Sequence, residues 1–436
     1  MRLFSFFPRL KSVFRSPLWI ALFQVYLIGV GAALSAVLFR NGMNGLSRLR
    51  LELSDSLSPL IILPLIGLVG GAIAGVLVEW VEPSDAGSGF PQLLKYFNDD
   101  ASVPFNWRTA IVKLISGTLV IGSGFPLGAE GPSAQMGASI ASQLGQWFSA
   151  SEARLRLLIA TGAGAGIAAA FNAPLGGFAY ALEQLLKDVS PGIIIPLIIG
   201  TVVADFWGQV FGYQGLSLLA GSNFVELYKF KLDNISYTAI DVPFLILLGL
   251  LAGMLAPLFD RCILRLQFLI HHQWQLRPTI AIAGTGLLIG SIYAFLPHNF
   301  RESATLQSAL VEGKLDWQVA AAGLVTTLSL TILAAASKAP GGLFSSLLTI
   351  GGALGLLLNS LVHHWIGYNP PTLVIAGMGA FMSAVTRSPL SSIIITLELT
   401  KNTLLYHPLT ISSVIAYLVA RQISRQSLFE RMNENV

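Results

Sequence analysis

The sequence predicts an all-α, polytopic membrane protein built from two related halves, with several helices interrupted partway. Three observations carry that prediction. Of 436 residues, 54% are hydrophobic and 11% are charged, a balance foreign to soluble domains. Apolar stretches of bilayer length recur along most of the chain. And TGAGAGIAAAFNAPLGGFAYALEQ, starting at Thr161, aligns without gaps onto AGMGAFMSAVTRSPLSSIIITLEL, starting at Ala376. That register pairs Gly162 with Gly377, Gly164 with Gly379, Pro174 with Pro389, Leu175 with Leu390 and Glu183 with Glu398. Two halves with matching interrupted helices are the pattern of a pseudo-symmetric transporter, its site at the repeat interface. The net charge of +4 carries no nucleic-acid signal, because the basic residues sit at the ends and in connections. The single cysteine, Cys262, excludes an internal disulfide and a Cys-rich metal site.

In chain order, residues 1–16 carry Arg2, Arg9, Lys11 and Arg15 ahead of the first apolar span. This places the N-terminus in the cytoplasm, and without a small-residue cleavage site no signal peptide is removed. The first half, 17–219, opens with a span over 17–39. A loop is expected next, setting Arg40, Arg48 and Arg50 against Glu52 and Asp55 and counting against the positive-inside bias. A second span over 57–78 contains Gly67, Gly70, Gly71 and Gly75, a spacing that permits close helix packing in lipid. GSGFPQ follows at 87–92, then a polar loop through Arg108. Apolar sequence resumes at Thr109 and runs into GSGFPLGAEGPSAQMG at 122–137. The run 155–186 is broken by Asn172, Pro174 and Gly176–Gly177, and 192–219 is apolar again. Polar residues 220–241 connect the halves. The second half, 242–429, holds apolar runs at 242–270, 278–296, 319–336, 343–365, 371–385, 388–399 and 408–423. Several are too short to cross alone, so tilted or re-entrant helices are expected. A short tail, 430–436, follows, and no soluble regulatory domain is expected.

The chemistry gathers at the Gly- and Pro-rich breaks. Glu130 stands in an apolar run, flanked by Gly128, Gly131 and Pro132, with Gly124 and Pro126 upstream. Proline and glycine interrupt a helix there, and irregular backbone survives at membrane depth only against protein or a water-filled cavity. An acid at such a break reads as a permeation or binding site; the alternative is a kinked helix around a buried, protonated glutamate. GSGFPQ, GAEGP and GGLF form a set of three breaks. A helix starting at each presents free N–H groups and its positive dipole end, and several aimed at one place make an anion site without a full positive charge. Weak, replaceable binding of that kind suits conduction. Ser88 adds a hydroxyl donor.

These motifs resemble the CLC family of chloride channels and chloride/proton exchangers. GSGFPQ, with Gly87, Ser88, Gly89 and Pro91, is similar to the family's GSGIP signature. GAEGP is similar to G(K/R)EGP, and GGLFSS to GxFxP. AFNAPLGG, the Leu182–Glu183 pair and Lys113 also match. The resemblance implies the CLC fold, an inverted (antiparallel) repeat with many tilted and broken helices, without CBS domains and of the prokaryotic type. It further implies a homodimer with one pathway per subunit, in an inner or plasma membrane, both termini cytoplasmic. Chloride and protons would be cargo, the lipid bilayer the surroundings, with no cofactor, no metal and no enzymatic activity. Ser88 and the backbone N–H groups of Leu343 and Phe344 would hold the central anion, and Glu130 would be the gate and external proton site.

Four departures stand out. Ala129 replaces the basic residue of the second motif. Ser346 replaces the proline of the third, which is expected to loosen that helix start. Phe429 stands where the family has a tyrosine that contacts the anion. Gln184 stands where exchangers commonly carry the internal proton-relaying glutamate, and an amide cannot relay a proton as a carboxylate does. Proton-coupled exchange is the first reading, a passive chloride channel the second and a fluoride/proton antiporter the third.

Among the other ionisable groups, Glu183 and Glu398 occupy equivalent repeat positions, which favours helix capping. Lys113, Lys338 and Arg387 supply either a positive field or snorkelling cations. An intramembrane hydrolase using Ser88 or Ser345 would need a base, and no histidine sits centrally in a span. The six histidines form no metal-ligand pattern, and Glu130 alone is no cation site.

Overall fold

A computed structural model of the chain describes residues 17–98, 105–214, 237–296, 317–370 and 372–434. The described residues are almost entirely helical and hold no strand. Nine of their helices are long and apolar enough to cross a membrane. In chain order the first half comprises α1 (Pro17–Ser56), α2 (Pro59–Val76), α3 (Phe90–Asn98), α4 (Trp107–Gly122), α5 (Glu130–Trp147), α6 (Glu152–Phe171), α7 (Pro174–Tyr180) and α8 (Pro191–Gln214). The second comprises α9 (Val242–Phe268), α10 (Pro278–Phe295), α11 (Trp317–Ala336), α12 (Phe344–Ile366), α13 (Leu373–Thr386), α14 (Pro389–Thr400) and α15 (Tyr406–Ile423). A last helix, α16 (Leu428–Glu434), contains Phe429 and spans the expected boundary between second half and tail. Residues 1–16 and most of the expected connection over 220–241 lie outside the described residues.

The sequence punctuation explains most starts and stops. Prolines open α2, α7, α8, α10 and α14, where the missing N–H would have had no partner. The Asn106 side chain caps α4, accepting from Thr109 N–H at 2.9 Å. Helices α6 and α13 both end in left-handed residues, Asn172 and Arg387, which are equivalent in the repeat register. Two expectations fail, the first being the polar loop through Arg108: the chain up to Asn98 belongs to α3, and α4 already opens at Trp107. The loop carrying Arg40, Arg48 and Arg50 is instead the continuation of α1, a single helix of 40 residues. Arg40 and Arg50 are buried inside the protein. Arg40 donates to the carbonyls of Ala169 and Ala170 at the end of α6, satisfying acceptors that a helix leaves open. A charge that looked like loop chemistry thus finds its partner across the fold.

The two halves interlock in reverse. Along α2, Leu63, Gly67, Gly71 and Gly75 meet Gly290, Gly286, Ile282 and Thr279 of α10. As one number rises the other falls, so these repeat-related helices run antiparallel, as an inverted repeat requires. A β-carbon on Gly67 would collide with the Gly286 carbonyl, so backbone approach sets the crossing. The acids Glu183 and Glu398 repeat the exchange. Glu398 on α14 accepts from Leu175 and Gly176 N–H at 3.0 and 2.6 Å, at the start of α7. Glu183, in the π-turn after α7, accepts from Leu390 and Ser391 N–H at 3.2 and 2.8 Å, at the start of α14. Each half caps the other half's broken helix.

Two sets of substitutions test this interlock by thermal melting in detergent. Gly67→Ala is expected to cost about 1–3 kcal/mol by overpacking. Gly45→Ala on α1, with open space beside it, is expected to raise stability by up to about 1 kcal/mol. Glu183→Ala and Glu398→Ala are each expected to cost about 1–3 kcal/mol, and by similar amounts; a loss confined to one would contradict the reciprocal capping.

Candidate ion site

The first break is shaped by a buried ion pair. Lys113, on α4 and fully buried, lies 3.1 Å from the Asp85 carboxylate. Its ammonium also donates to the Asp85 and Gly87 carbonyls at 2.5 and 3.0 Å, and Ser116 donates to Asp85 at 2.6 Å. Lys113 is therefore not a snorkelling cation but the clasp that holds the turn before Ser88. Gly87 and Gly89 flank Ser88 with φ of +78° and +90°, a left-handed backbone that residues with side chains disfavour. The turn delivers the chain into α3 at Phe90, with Pro91 in its first turn. Asn433 of α16 donates to the Pro91 carbonyl at 2.8 Å.

The other two breaks are joined to each other and to the first. Gly128 and Gly342 exchange both backbone hydrogen bonds at 2.7 Å, an antiparallel pair that satisfies polar backbone where no helix can. Gly87 N–H donates to the Lys338 carbonyl at 2.8 Å. At Gly131 a β-carbon would strike the Ser88 carbonyl and lie 3.0 Å from Gly342 Cα, so all three motifs meet at one glycine. Pro132 sits in the first turn of α5, where its missing N–H leaves nothing unsatisfied. The expected loosening at Ser346 is not what the structure has. Its hydroxyl donates to the Pro126 carbonyl at 2.5 Å, a tie between second and third motifs that proline could not make.

Glu130, only 1% exposed, reaches across this junction. Its carboxylate accepts from the Ser345 N–H and from the Ser345 hydroxyl, each at 3.0 Å, and Phe344 N–H also faces it. The acid that opens α5 thus caps the start of α12, where the helix dipole favours negative charge. A second region lies beside this junction. Ser88, Leu343, Gln92, Lys95, Lys338 and Asn433 line a cavity of about 360 Å³. The Ser88 hydroxyl is buried without a hydrogen-bond partner. Behind it, Phe90 stacks on Phe344 with ring centres 4.4 Å apart, and Phe429 and Tyr180 pack against that pair. The fold therefore gathers Ser88, Glu130, Leu343, Phe344 and Phe429 from four separate segments.

Gln184 is not part of this cluster's hydrogen bonding. Its amide, 9% exposed, donates to the Arg387 carbonyl at 3.4 Å. Arg387 itself lies 3.6 Å from buried Asp260 and does not snorkel. Sequence reading named Ser345 only as a candidate nucleophile and missed its bond to Glu130. The signal was present: the two stand 215 residues apart, the same register that aligns Thr161 with Ala376. Arg50, whose guanidinium abuts Gly124 just upstream of the second motif and faces the Tyr293 ring at 6.0 Å, left no such trace.

A family model described as "voltage gated chloride channel" matches residues 70–421. The chain is similar to the X-ray structure of a slow cyanobacterial Cl⁻/H⁺ antiporter, at 26% identity and TM-score 0.84, covering 95% of this chain and 97% of that one. The fold is shared with a eukaryotic CLC transporter at 22% identity and TM-score 0.80, covering 96% and 74% of the two chains. It is shared as well with a CLC-type fluoride/proton antiporter at 22% identity and TM-score 0.73, covering 93% and 96%. With three helix breaks joined around one capped carboxylate and a family match over most of its length, this chain belongs to the CLC family of multi-pass membrane channels and transporters, which are not enzymes.

Proposed function

We propose that this protein moves chloride across a membrane in exchange for protons, with Glu130 as the gate. The observation that carries the reading is the seat of the Glu130 carboxylate on the first turn of α12, held by Ser345 N–H and hydroxyl. That first turn adjoins Leu343, which shares a cavity with the unpartnered Ser88 hydroxyl. A carboxylate and a halide compete for the same kind of donors. Ionised, Glu130 holds them; protonated, it loses most of its claim, because hydrogen bonds to a charged acceptor are worth about 1.5–3 kcal/mol and neutral ones about half that. Proton arrival then frees the helix start for the anion, and anion arrival displaces the carboxylate toward a proton donor. Ser88 with the N–H groups of Leu343 and Phe344 forms the central anion position. Lys338 and Lys95 give the adjoining cavity a positive field that concentrates anions. The cyanobacterial Cl⁻/H⁺ antiporter, 26% identical, supports exchange.

We further propose a homodimer with one pathway per subunit, both termini cytoplasmic, in a prokaryotic inner or plasma membrane. No resident cofactor takes part, chloride and protons being the cargo. A passive chloride channel is the second reading, favoured by Gln184: an amide already donating to the Arg387 carbonyl offers no carboxylate for a proton from inside. In exchange, water from the cytoplasmic side takes over that step.

Purified protein in vesicles under an inward chloride gradient decides between the two. Exchange is expected to drive protons uphill, with the movement abolished when the chloride gradient is collapsed; a channel gives chloride current and no uphill protons. Glu130→Ala, measured in parallel chloride and proton flux assays, is expected to keep chloride movement and to lose proton movement to background. Chloride flux that disappears with the carboxylate would contradict its role as a competitor for the anion's seat.

A further inference from the structure

Tyr180 ends α7 immediately before the π-turn that carries Glu183 and Gln184. It is 1% exposed, and its hydroxyl has no hydrogen-bond partner. Its ring tilts against Phe90 at 5.1 Å and meets Phe344 edge-on at 5.4 Å. Phe90 follows Ser88 by two residues, and Phe344 is the first residue of α12. Two buried hydroxyls, those of Ser88 and Tyr180, are therefore left unpartnered around one stacked aromatic pair. A phenol O–H stranded in a protein interior is costly, and buried polar groups of native proteins find a partner. Of the four rings packed here, Phe90, Tyr180, Phe344 and Phe429, only Tyr180 carries a donor.

We infer that the Tyr180 hydroxyl is a second side-chain donor to the anion held by Ser88. The inference rests on the chloride-transport reading and extends it to a residue on another helix. The ligand is a monovalent halide of low hydration cost. It accepts two O–H donors and rests against the electropositive edges of aromatic rings. The position of the hydroxyl on α7 means that the π-turn holding Glu183, which caps α14, also sets the anion's coordination. Ser88 alone would leave the central anion with one hydroxyl donor. Tyr180, whose ring packs on both Phe90 and Phe344, supplies the other, without any hydroxyl at Phe429.

Isothermal titration of detergent-solubilised protein with sodium chloride tests this. Tyr180→Phe, which removes one oxygen and keeps the ring, is expected to weaken chloride binding roughly tenfold. Adding Phe429→Tyr in that background is expected to recover most of the loss, because the new hydroxyl stands on a ring 5.2 Å from Phe90 and 6.0 Å from Phe344. Tyr180→Phe binding within about twofold of wild type would overturn the inference, since hydrogen bonds to ions are worth more than that. So would lost proton movement with unchanged chloride affinity, which would assign the hydroxyl to proton transfer. Wild-type protein with no chloride heat, and no chloride flux in vesicles, would remove the underlying transport reading instead. A crystal of the wild type soaked in bromide needs no variant. Anomalous density within ~3.5 Å of both Ser88 Oγ and Tyr180 Oη is the expected result, and density beyond hydrogen-bond reach of Tyr180 the contrary one.

Discussion

A carboxylate in the interior of a membrane protein must be surrounded by donors, and the remaining structure follows from how Glu130 meets that demand. Its two oxygens take an N–H and a hydroxyl from Ser345 at the start of α12. For this to happen, two helices have to begin within a few ångströms of each other in the middle of the fold. Their preceding residues cannot be helical, so their backbone groups need other partners. The reciprocal bonds between Gly128 and Gly342 provide two, and the Ser346 hydroxyl on the Pro126 carbonyl provides a third. Glycine and proline at these positions are consequences of geometry, since side chains would occupy the space through which the backbones approach.

The same economy governs the buried charges elsewhere. Lys113 and Asp85 neutralise each other while their remaining hydrogen bonds fold the turn before Ser88. Arg40 closes the carbonyl end of α6, and Glu183 and Glu398 close the N–H ends of α14 and α7. Arg40, Glu183 and Glu398 each complete a helix terminus instead of facing lipid. Broken helices are stable here because each break is covered by a group from another part of the chain, usually from the other half. Among the donors left unfilled is the Ser88 hydroxyl beside the cavity it lines with Leu343, and that is where an anion binds in the proposed mechanism.

Much of this was legible residue by residue. The register that set Glu183 against Glu398 also set Asn172 against Arg387, and both latter residues end helices in the left-handed conformation. It set Glu130 against Ser345 too, though the significance of that pair needs the knowledge that the pseudo-axis passes between them. Gly67, Gly71 and Gly75 announced a close helix contact without naming α10 as the partner. The extension of α1 to Ser56 was hidden, because Arg40 and Arg50 read as polar loop residues until their partners on α6 and beside Gly124 were in view.

From sequence alone follow the membrane-spanning helical class, the duplication, the three breaks and the acid at the second. Each of these depends on local properties: hydropathy, the missing proline N–H, the conformational range of glycine, and a repeated pattern. Only the tertiary structure decided which break caps which, that Lys113 is a clasp rather than a surface cation, and that Ser346 ties two motifs together. It also decided which buried hydroxyls stand without partners. Those outcomes turn on contacts between segments as much as 223 residues apart, and hydrogen-bond energies at that separation are set by geometry that no local pattern records.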